Sequence, residues 1–190
     1  MAADCLHPGG QDFTAQLMQY AAVPKGSAVL DAGCGAGATV QWLGQQGFAA
    51  YGIDQQPGQV SEQICQGDIR QLPYRDGQFT AVLSECTAFI CGNTAAMLGE
   101  CCRVLQTDGW LLLADVYFDE EQALPKFDDK RPVTLAQWRQ LLEQSHFEVK
   151  KIEDVSAAWK PFVIAQLWAG RTLEDLWGGC LAQGQTEANQ

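Results

Sequence analysis

Apolar residues follow two patterns along this chain: some segments place them near every 3.6 positions, and others place them in short runs. The first pattern predicts amphipathic helices and the second predicts buried strands. Helices are expected at Gln11–Val23, around Val40–Leu43 up to Gly47, at Thr94–Leu105 and from Thr134 onward. Strands are expected at Ser27–Leu30, Phe48–Ile53, Ser61–Gln66, Phe79–Leu83 and Trp110–Tyr117. Helices and strands therefore alternate over most of the chain.

The segments nearest the C-terminus are expected to close the sheet. Phe147–Val155 and Trp159–Trp168 mix apolar and polar residues in a way that favours two strands. Their joint at Ser156–Ala158 has the length of a hairpin, so one strand of the pair should run antiparallel to the rest. The earlier strands are separated by helices, and such crossovers produce a parallel sheet covered on both faces. The expected fold class is α/β, a Rossmann-like doubly wound sheet of seven mostly parallel strands with an antiparallel C-terminal strand.

Composition supports a packed domain. The chain has 190 residues, of which 47% are hydrophobic and 18% charged, so we expect a single domain over 1–190 with fraying at 1–10 and 183–190. The net charge of −11 disfavours nucleic acid and anionic membranes as partners. No apolar run reaches the roughly 20 residues that span a bilayer, and the first residues lack a signal-peptide pattern. A cytoplasmic location is the resulting expectation.

Eight cysteines occur in the chain, and no two of them have the CxxC spacing typical of zinc sites. A chain of this size and apolar content does not need disulfides, and a reducing compartment keeps thiols free. We therefore expect buried, reduced thiols and no metal, with metal or redox chemistry as the alternative. The cysteines are Cys5, Cys34, Cys65, Cys86, Cys91, Cys101, Cys102 and Cys180.

A glycine-rich turn between the first expected strand and the next helix is the strongest candidate for ligand binding. Gly33, Gly35 and Gly37 allow the backbone to approach a ligand without a Cβ in the way. Their spacing also fits the loose dinucleotide fingerprint, so it admits a nicotinamide cofactor as well as an adenosyl one. Asp31 favours the adenosyl cofactor, because a carboxylate attracts an ammonium group and repels a pyrophosphate.

Four motifs in this chain resemble those of class I S-adenosylmethionine-dependent methyltransferases, in the small-molecule branch similar to the ubiquinone and menaquinone biosynthesis C-methyltransferases. They run in the family's order and lie at Val29–Gly37, Gly52–Asp54, Gly67–Phe79 and Glu100–Gly109. The resemblance implies S-adenosylmethionine as cofactor and S-adenosylhomocysteine as product. Thr80 departs from the pattern, since the family usually has Asp after the equivalent of Phe79.

The resemblance also implies roles for single residues. Asp31 would face the methionine end of the cofactor, Asp54 would bond the ribose hydroxyls, and Asp68 with Ile69 would meet the adenine. Carboxylate oxygens have the lone pairs that vicinal hydroxyls require. The alternatives are a strand-end cap for Asp54 and a turn residue for Asp68. The expected cofactor-binding residues are Asp31, Gly33, Cys34, Gly35, Gly37, Asp54, Gln55, Asp68, Ile69 and Ser84.

The acceptor is expected beyond the fourth strand, at Ser84–Phe89, and beside the end of the fifth. Glu85 is the candidate catalytic residue that orients or deprotonates the acceptor, and a solvated loop carboxylate is the alternative. Tyr117 is the second candidate, with simple packing as its alternative. The acidic segment 119–131 has the length of a lid, or of a solvated connection.

Methyl transfer to a small-molecule acceptor is the function that these patterns favour. Two alternatives stay open: a catalytically silent methyltransferase-like binding module and a nicotinamide-dependent oxidoreductase. Within the enzyme class, a cysteine-based site for a thiol or metalloid acceptor is a further possibility. His146 is expected to cap a helix at the surface, while His7 has no assigned role.

Overall fold

A computed structural model describes residues 7–118 and 134–170 of the chain. Its strands are β1 Ala28–Ala32, β2 Ala49–Asp54, β3 Ile64–Gln66, β4 Phe79–Glu85 and β5 Leu105–Ala114. They form one sheet in the order β3-β2-β1-β4-β5, and every pairing is parallel. The expected lid at 119–131, the end at 183–190, Cys5 and Cys180 lie outside the described residues.

Helices cover both faces of this sheet. The helices of the described residues are α1 Gly10–Tyr20, α2 Ala38–Gln45, α3 Thr94–Val104, α4 Leu135–Gln144 and α5 Trp159–Trp168, with a short 3₁₀ helix at Ser156–Ala158. The first four bury residues against the sheet, whereas α5 has no buried residue. Met18 of α1 and Leu43 of α2 are buried in the cluster on one face. Leu98 of α3 and Trp138 of α4 are buried in the cluster on the other. The predicted α/β, Rossmann-like class with helices on both faces is confirmed.

The two central strands define where a ligand can bind. Leu30 of β1 pairs with Val82 of β4, and the strand order reverses between these strands. At such a reversal the connections leave in opposite directions, which opens a crevice at the carboxyl ends of the strands. The glycine turn that follows β1 and the end of β4 at Glu85 both lie at this edge.

The two predicted closing strands are wrong. Trp159–Trp168 forms helix α5 and Phe147–Val155 forms no strand, so the described residues contain five parallel strands and no antiparallel one. Pro161 has no N–H to give to a sheet but fits the first turn of a helix, where an N–H would have no partner. The uninterrupted apolar residues Phe162–Ala165 also break the alternation that a half-buried strand needs.

Side-chain hydrogen bonds hold the start of α4 and the segment between β3 and β4. Thr134 and Gln137 form the predicted capping box at the start of α4, which is confirmed. In α3, Arg103 donates to the carbonyl oxygens of Leu72 at 3.0 Å and Tyr74 at 2.7 Å. A guanidinium has enough donors to hold several carbonyls at once. Arg103 therefore anchors the segment between β3 and β4.

Candidate functional site

The turn after β1 has an unusual backbone at each of its three glycines. Their φ angles are +94° at Gly33, +49° at Gly35 and +83° at Gly37, all in the left-handed region that side chains disfavour. The N–H of Gly33 donates to the carbonyl of Ile53 in β2 at 2.8 Å. The turn therefore folds back against the neighbouring strand and leads directly into α2.

The three glycines meet different neighbours. A Cβ at Gly33 would overlap the side chain of Thr87, and a Cβ at Gly37 would overlap Cδ1 of Ile64. A Cβ at Gly35 would meet no atom within 4 Å. Packing within the protein thus requires two of the glycines, whereas Gly35 borders open space that a ligand can enter.

Asp54 ends β2 and is tied to this turn. Its Oδ2 accepts from the N–H of Gly35 at 2.9 Å, and its Oδ1 accepts from the N–H of Gln56 at 2.8 Å. Each carboxylate oxygen can accept more than one hydrogen bond, so Asp54 keeps capacity for hydroxyl donors. Gln55, next along the chain, is exposed, and its carbonyl accepts from Nε2 of Gln66 at 2.9 Å.

Two further carboxyl groups lie beneath the turn. Asp31, at 4% exposure, and Glu85, at 9%, are both buried at the ends of β1 and β4. Burial raises the pKa of Asp31 well above its usual range, and the charges of Glu85 and Asp54 add to the effect. Burial also raises the pKa of Glu85 to about 7, although its hydrogen bond with Thr14 opposes this. Two buried carboxyl groups therefore lie close together, and a cation bound beside them would favour their ionised forms.

Glu85 is not a solvated loop carboxylate. The hydroxyl of Thr14, in α1, lies 3.1 Å from both of its oxygens, and Nε2 of His7 lies 3.4 Å from Oε2. Sequence reasoning missed both partners. The only signal was the pair Gly9 and Gly10 between them, which allows a sharp reversal of the chain.

Some expected cofactor residues have side chains that face the core. Cys34 and Ile69 are buried in the two hydrophobic clusters. Ser84 is fully buried, and its hydroxyl has no hydrogen-bond partner among the described residues. Asp68 lies at the surface, where the guanidinium of Arg70 contacts its carboxylate at 2.6 Å and lowers its pKa. Cys34 can contribute only its backbone to the crevice.

The loop after β4 is held by the end of β5. Asp115 accepts from the N–H of Phe89 at 3.0 Å, and burial raises its pKa to about 6. Cys86 has a φ of +57°, and burial raises the pKa of its thiol to about 12. Strained backbone of this kind is often found at functional sites.

Tyr117 lies apart from Glu85. It packs against the cluster beneath α3 and α4, whereas Glu85 contacts α1 on the other face of the sheet. The structure therefore does not bring the two candidate catalytic side chains together.

The sequence profile of the family described as "Methyltransferase domain" matches residues 30–113, which run from β1 to the end of β5. Residues 30–113 are therefore similar to the methyltransferase domain family. The matched segment contains the glycine turn, Asp54 and Glu85, so the crevice lies within the matched segment.

Across the described residues, no helix combines the length and apolar character that crossing a membrane requires, and no three His, Cys, Asp or Glu side chains group as metal ligands.

Two curated methyltransferases are similar to the chain. The uncharacterized methyltransferase YodH of Bacillus subtilis (strain 168) is 30% identical over 118 residues, covering 56% of this chain and 50% of YodH. The 2-methyl-6-phytyl-1,4-hydroquinone methyltransferase of Synechocystis sp. (strain ATCC 27184 / PCC 6803 / Kazusa) is 30% identical over 158 residues, covering 75% of this chain and 48% of the relative. The chain spans about half the length of these relatives.

Among solved structures, Haemonchus contortus phosphoethanolamine N-methyltransferase 2, in complex with S-adenosyl-L-methionine, has a TM-score of 0.68 at 14% identity. The match covers 96% of this chain and 50% of that protein. At this identity the likeness concerns the fold alone, and it agrees with a Rossmann-like methyltransferase fold.

Proposed function

We propose that this protein transfers a methyl group from S-adenosylmethionine to a small-molecule acceptor and releases S-adenosylhomocysteine. The observation that carries the proposal is the open space at Gly35, whose N–H donates to Asp54, at the reversal of strand order within the segment that matches the methyltransferase domain family. When bound, S-adenosylmethionine supplies a methyl group on a positively charged sulfur.

The residues of the crevice fit such a cofactor. The backbone at Gly33, Gly35 and Gly37 can approach the ligand closely, because no side chain stands in front of Gly35. Asp31 would pair with the cationic methionine end, because a positive charge beside this buried carboxyl group would favour its ionised form. Asp54 would accept from the ribose hydroxyls with the lone pairs that its two backbone contacts leave.

The remaining expected contacts have less support from side-chain positions. Cys34, Gln55 and Ile69 would contribute backbone groups or packing at the adenosyl end, and Asp68 would act as the turn residue that shapes it. Ser84 would act from beneath the crevice, through a hydroxyl that lacks a partner among the described residues. Tyr117 lies away from Glu85, so it would act in packing rather than on the acceptor.

Glu85 would orient or deprotonate the acceptor. It is buried at the carboxyl end of β4, where a carboxylate in a dry site acts strongly on a nearby N–H or O–H group. A small acceptor is favoured because the net charge of −11 opposes binding of a nucleic acid. The names of the Synechocystis and Haemonchus proteins also indicate small acceptors for those enzymes.

Isothermal titration calorimetry tests the cofactor. We expect S-adenosylmethionine and S-adenosylhomocysteine to bind in the micromolar range and NAD to give no heat. Heat with NAD alone would contradict the proposal and favour the oxidoreductase.

A turnover assay then separates an enzyme from a silent binding module, because both bind the cofactor. Formation of S-adenosylhomocysteine is measured with a panel of hydroxyl, amine, thiol and activated-carbon acceptors, with trivalent arsenite as the metalloid. Product with one of them supports the enzyme, and cofactor binding without any turnover favours the module.

A further inference from the structure

The chain before α1 reverses sharply and brings two side chains to one carboxyl group. Gly9 and Gly10 have φ angles of +81° and +52°, and the N–H of Gly10 donates to the carbonyl of His7 at 3.2 Å. A Cβ at Gly9 would lie 2.7 Å from Cβ of Phe13, so the reversal requires a glycine there. His7 and Thr14 thereby face the same residue, Glu85, from the two sides of this reversal.

The ring of His7 is oriented by a second contact. Its Nδ1 lies 3.3 Å from the carbonyl oxygen of Pro8, which can only accept a hydrogen bond, so Nδ1 carries the hydrogen in the neutral ring. Nε2 then has a lone pair directed at Oε2 of Glu85, 3.4 Å away. One proton between these two atoms satisfies both groups.

We propose that His7 is the positioning residue of this site: with Thr14 it holds the Glu85 carboxyl group, and it exchanges one proton with Oε2. This inference rests on the proposed function and narrows its substrate class to acceptors whose nucleophilic oxygen or nitrogen carries a hydrogen.

In the reaction, the acceptor atom bonds to the methyl carbon and the carbon–sulfur bond breaks with its electron pair left on sulfur. The acceptor's proton goes to Oε2 of Glu85 and then to Nε2 of His7. Thr14 keeps the carboxyl group in place through its hydroxyl donor.

The groups around Glu85 and His7 favour one proton shared between these two side chains. Besides His7 and Thr14, Asp31 of β1 and the thiol of Cys86 lie close enough to Glu85 for its charge to raise the pKa of both. Burial raises the pKa of Glu85 to about 7 and lowers the pKa of His7, so both shifts oppose a separated ion pair. The pair should therefore gain or lose one proton near neutral pH.

Nuclear magnetic resonance of the imidazole groups tests this without cofactor or acceptor. The chain has two histidines, so a ¹H–¹³C spectrum contains two Cε1–H signals, which His7→Gln and His146→Gln assign. We expect the His7 signal to show an inflection near pH 7 that disappears in Glu85→Gln. In Thr14→Val the inflection should move to higher pH, because the hydroxyl of Thr14 favours the ionised carboxylate. The His146 signal is the internal control and should be the same in wild type, Glu85→Gln and Thr14→Val.

A His7 signal without that inflection, or with one that survives Glu85→Gln, would overturn the inference. The same variants in calorimetry separate it from the proposed function. Wild-type protein that shows the inflection but binds no S-adenosylmethionine would refute the function and leave the proton-sharing pair intact. With an acceptor from the panel, His7→Gln should lower kcat at least about 10-fold, with little change in the KM for S-adenosylmethionine.

Discussion

Because Glu85 is buried, the pKa of its carboxyl group is higher in the folded chain than in the unfolded chain. The pKa is raised from 4.5 to about 7, so between these values the folded state binds a proton that the unfolded state has lost. Stability then falls as pH rises through this window, and the full penalty, about 3 kcal/mol, is present above pH 7.

Glu85→Gln should remove this penalty. Gln keeps an oxygen that can accept from Thr14, so we expect the variant to be more stable than wild type at pH 8 and nearly equal at pH 4.5. Urea unfolding at the two pH values measures the difference. Glu143→Gln, at an exposed position of α4, is the control. A gain of equal size at both pH values would contradict the raised pKa.

Asp54 combines a structural and a binding role in one carboxylate. Asp54→Asn replaces one oxygen by an NH₂ group, which cannot accept from a backbone N–H or a ribose hydroxyl. We expect affinity for S-adenosylmethionine to fall by about 1–3 kcal/mol while the fold persists, as measured by calorimetry and circular dichroism. Asp108→Asn is the control, because Asp108 is exposed at a φ of +62° that Asn readily adopts. Unchanged affinity in a folded Asp54→Asn variant would leave Asp54 with the structural role only.

At the scale of elements, glycine substitutions can distinguish the cost of backbone strain from the loss of ligand contact in the turn between β1 and α2. Gly35 and Gly26 both have positive φ angles, +49° and +83°, and a Cβ at either position would meet no atom within 4 Å. Alanine at each should therefore cost a similar free energy of unfolding, about 1–2 kcal/mol.

The two substitutions should differ in binding. The methyl group of Gly35→Ala would enter the crevice, so affinity for S-adenosylmethionine should fall about 10-fold or more, whereas Gly26→Ala should bind as wild type does. Calorimetry on both variants, with urea unfolding alongside, checks this. Equal affinities would show that the open space at Gly35 is not where the cofactor lies.

Across the whole molecule, the thiols report on how the core is packed. Burial raises the pKa of Cys34, Cys86 and Cys101 to about 12, so thiolate is scarce at pH 8. We expect these three to resist maleimide in the native protein, while half-buried Cys102 reacts. In urea all eight cysteines should react if they are reduced, and mass spectrometry locates the labels. Native labelling of Cys101, or a permanently unreactive pair in urea, would disprove this.

Local features of the sequence were sufficient for the alternation of strands and helices, the capping box at Thr134 and the placement of Asp54 after β2. Such features depend on residues a few positions apart: a helix face repeats every turn, a cap spans three residues, and a glycine turn needs its own φ angles. The same reasoning failed at Trp159–Trp168, where the mixture of apolar and polar residues resembles strand alternation although Pro161 and the run Phe162–Ala165 favour a helix.

The surroundings of Glu85 depend on tertiary structure alone. Thr14 lies 71 residues before it, and nothing in either local pattern pairs them. Burial, and with it the raised pKa of Glu85, arises only when α1 packs across the end of β4, because desolvation is a property of the assembled site. The sequence alone was enough to identify the glycine turn of the crevice. The tertiary structure decided which side chains surround Glu85 and so set the protonation of its carboxyl group.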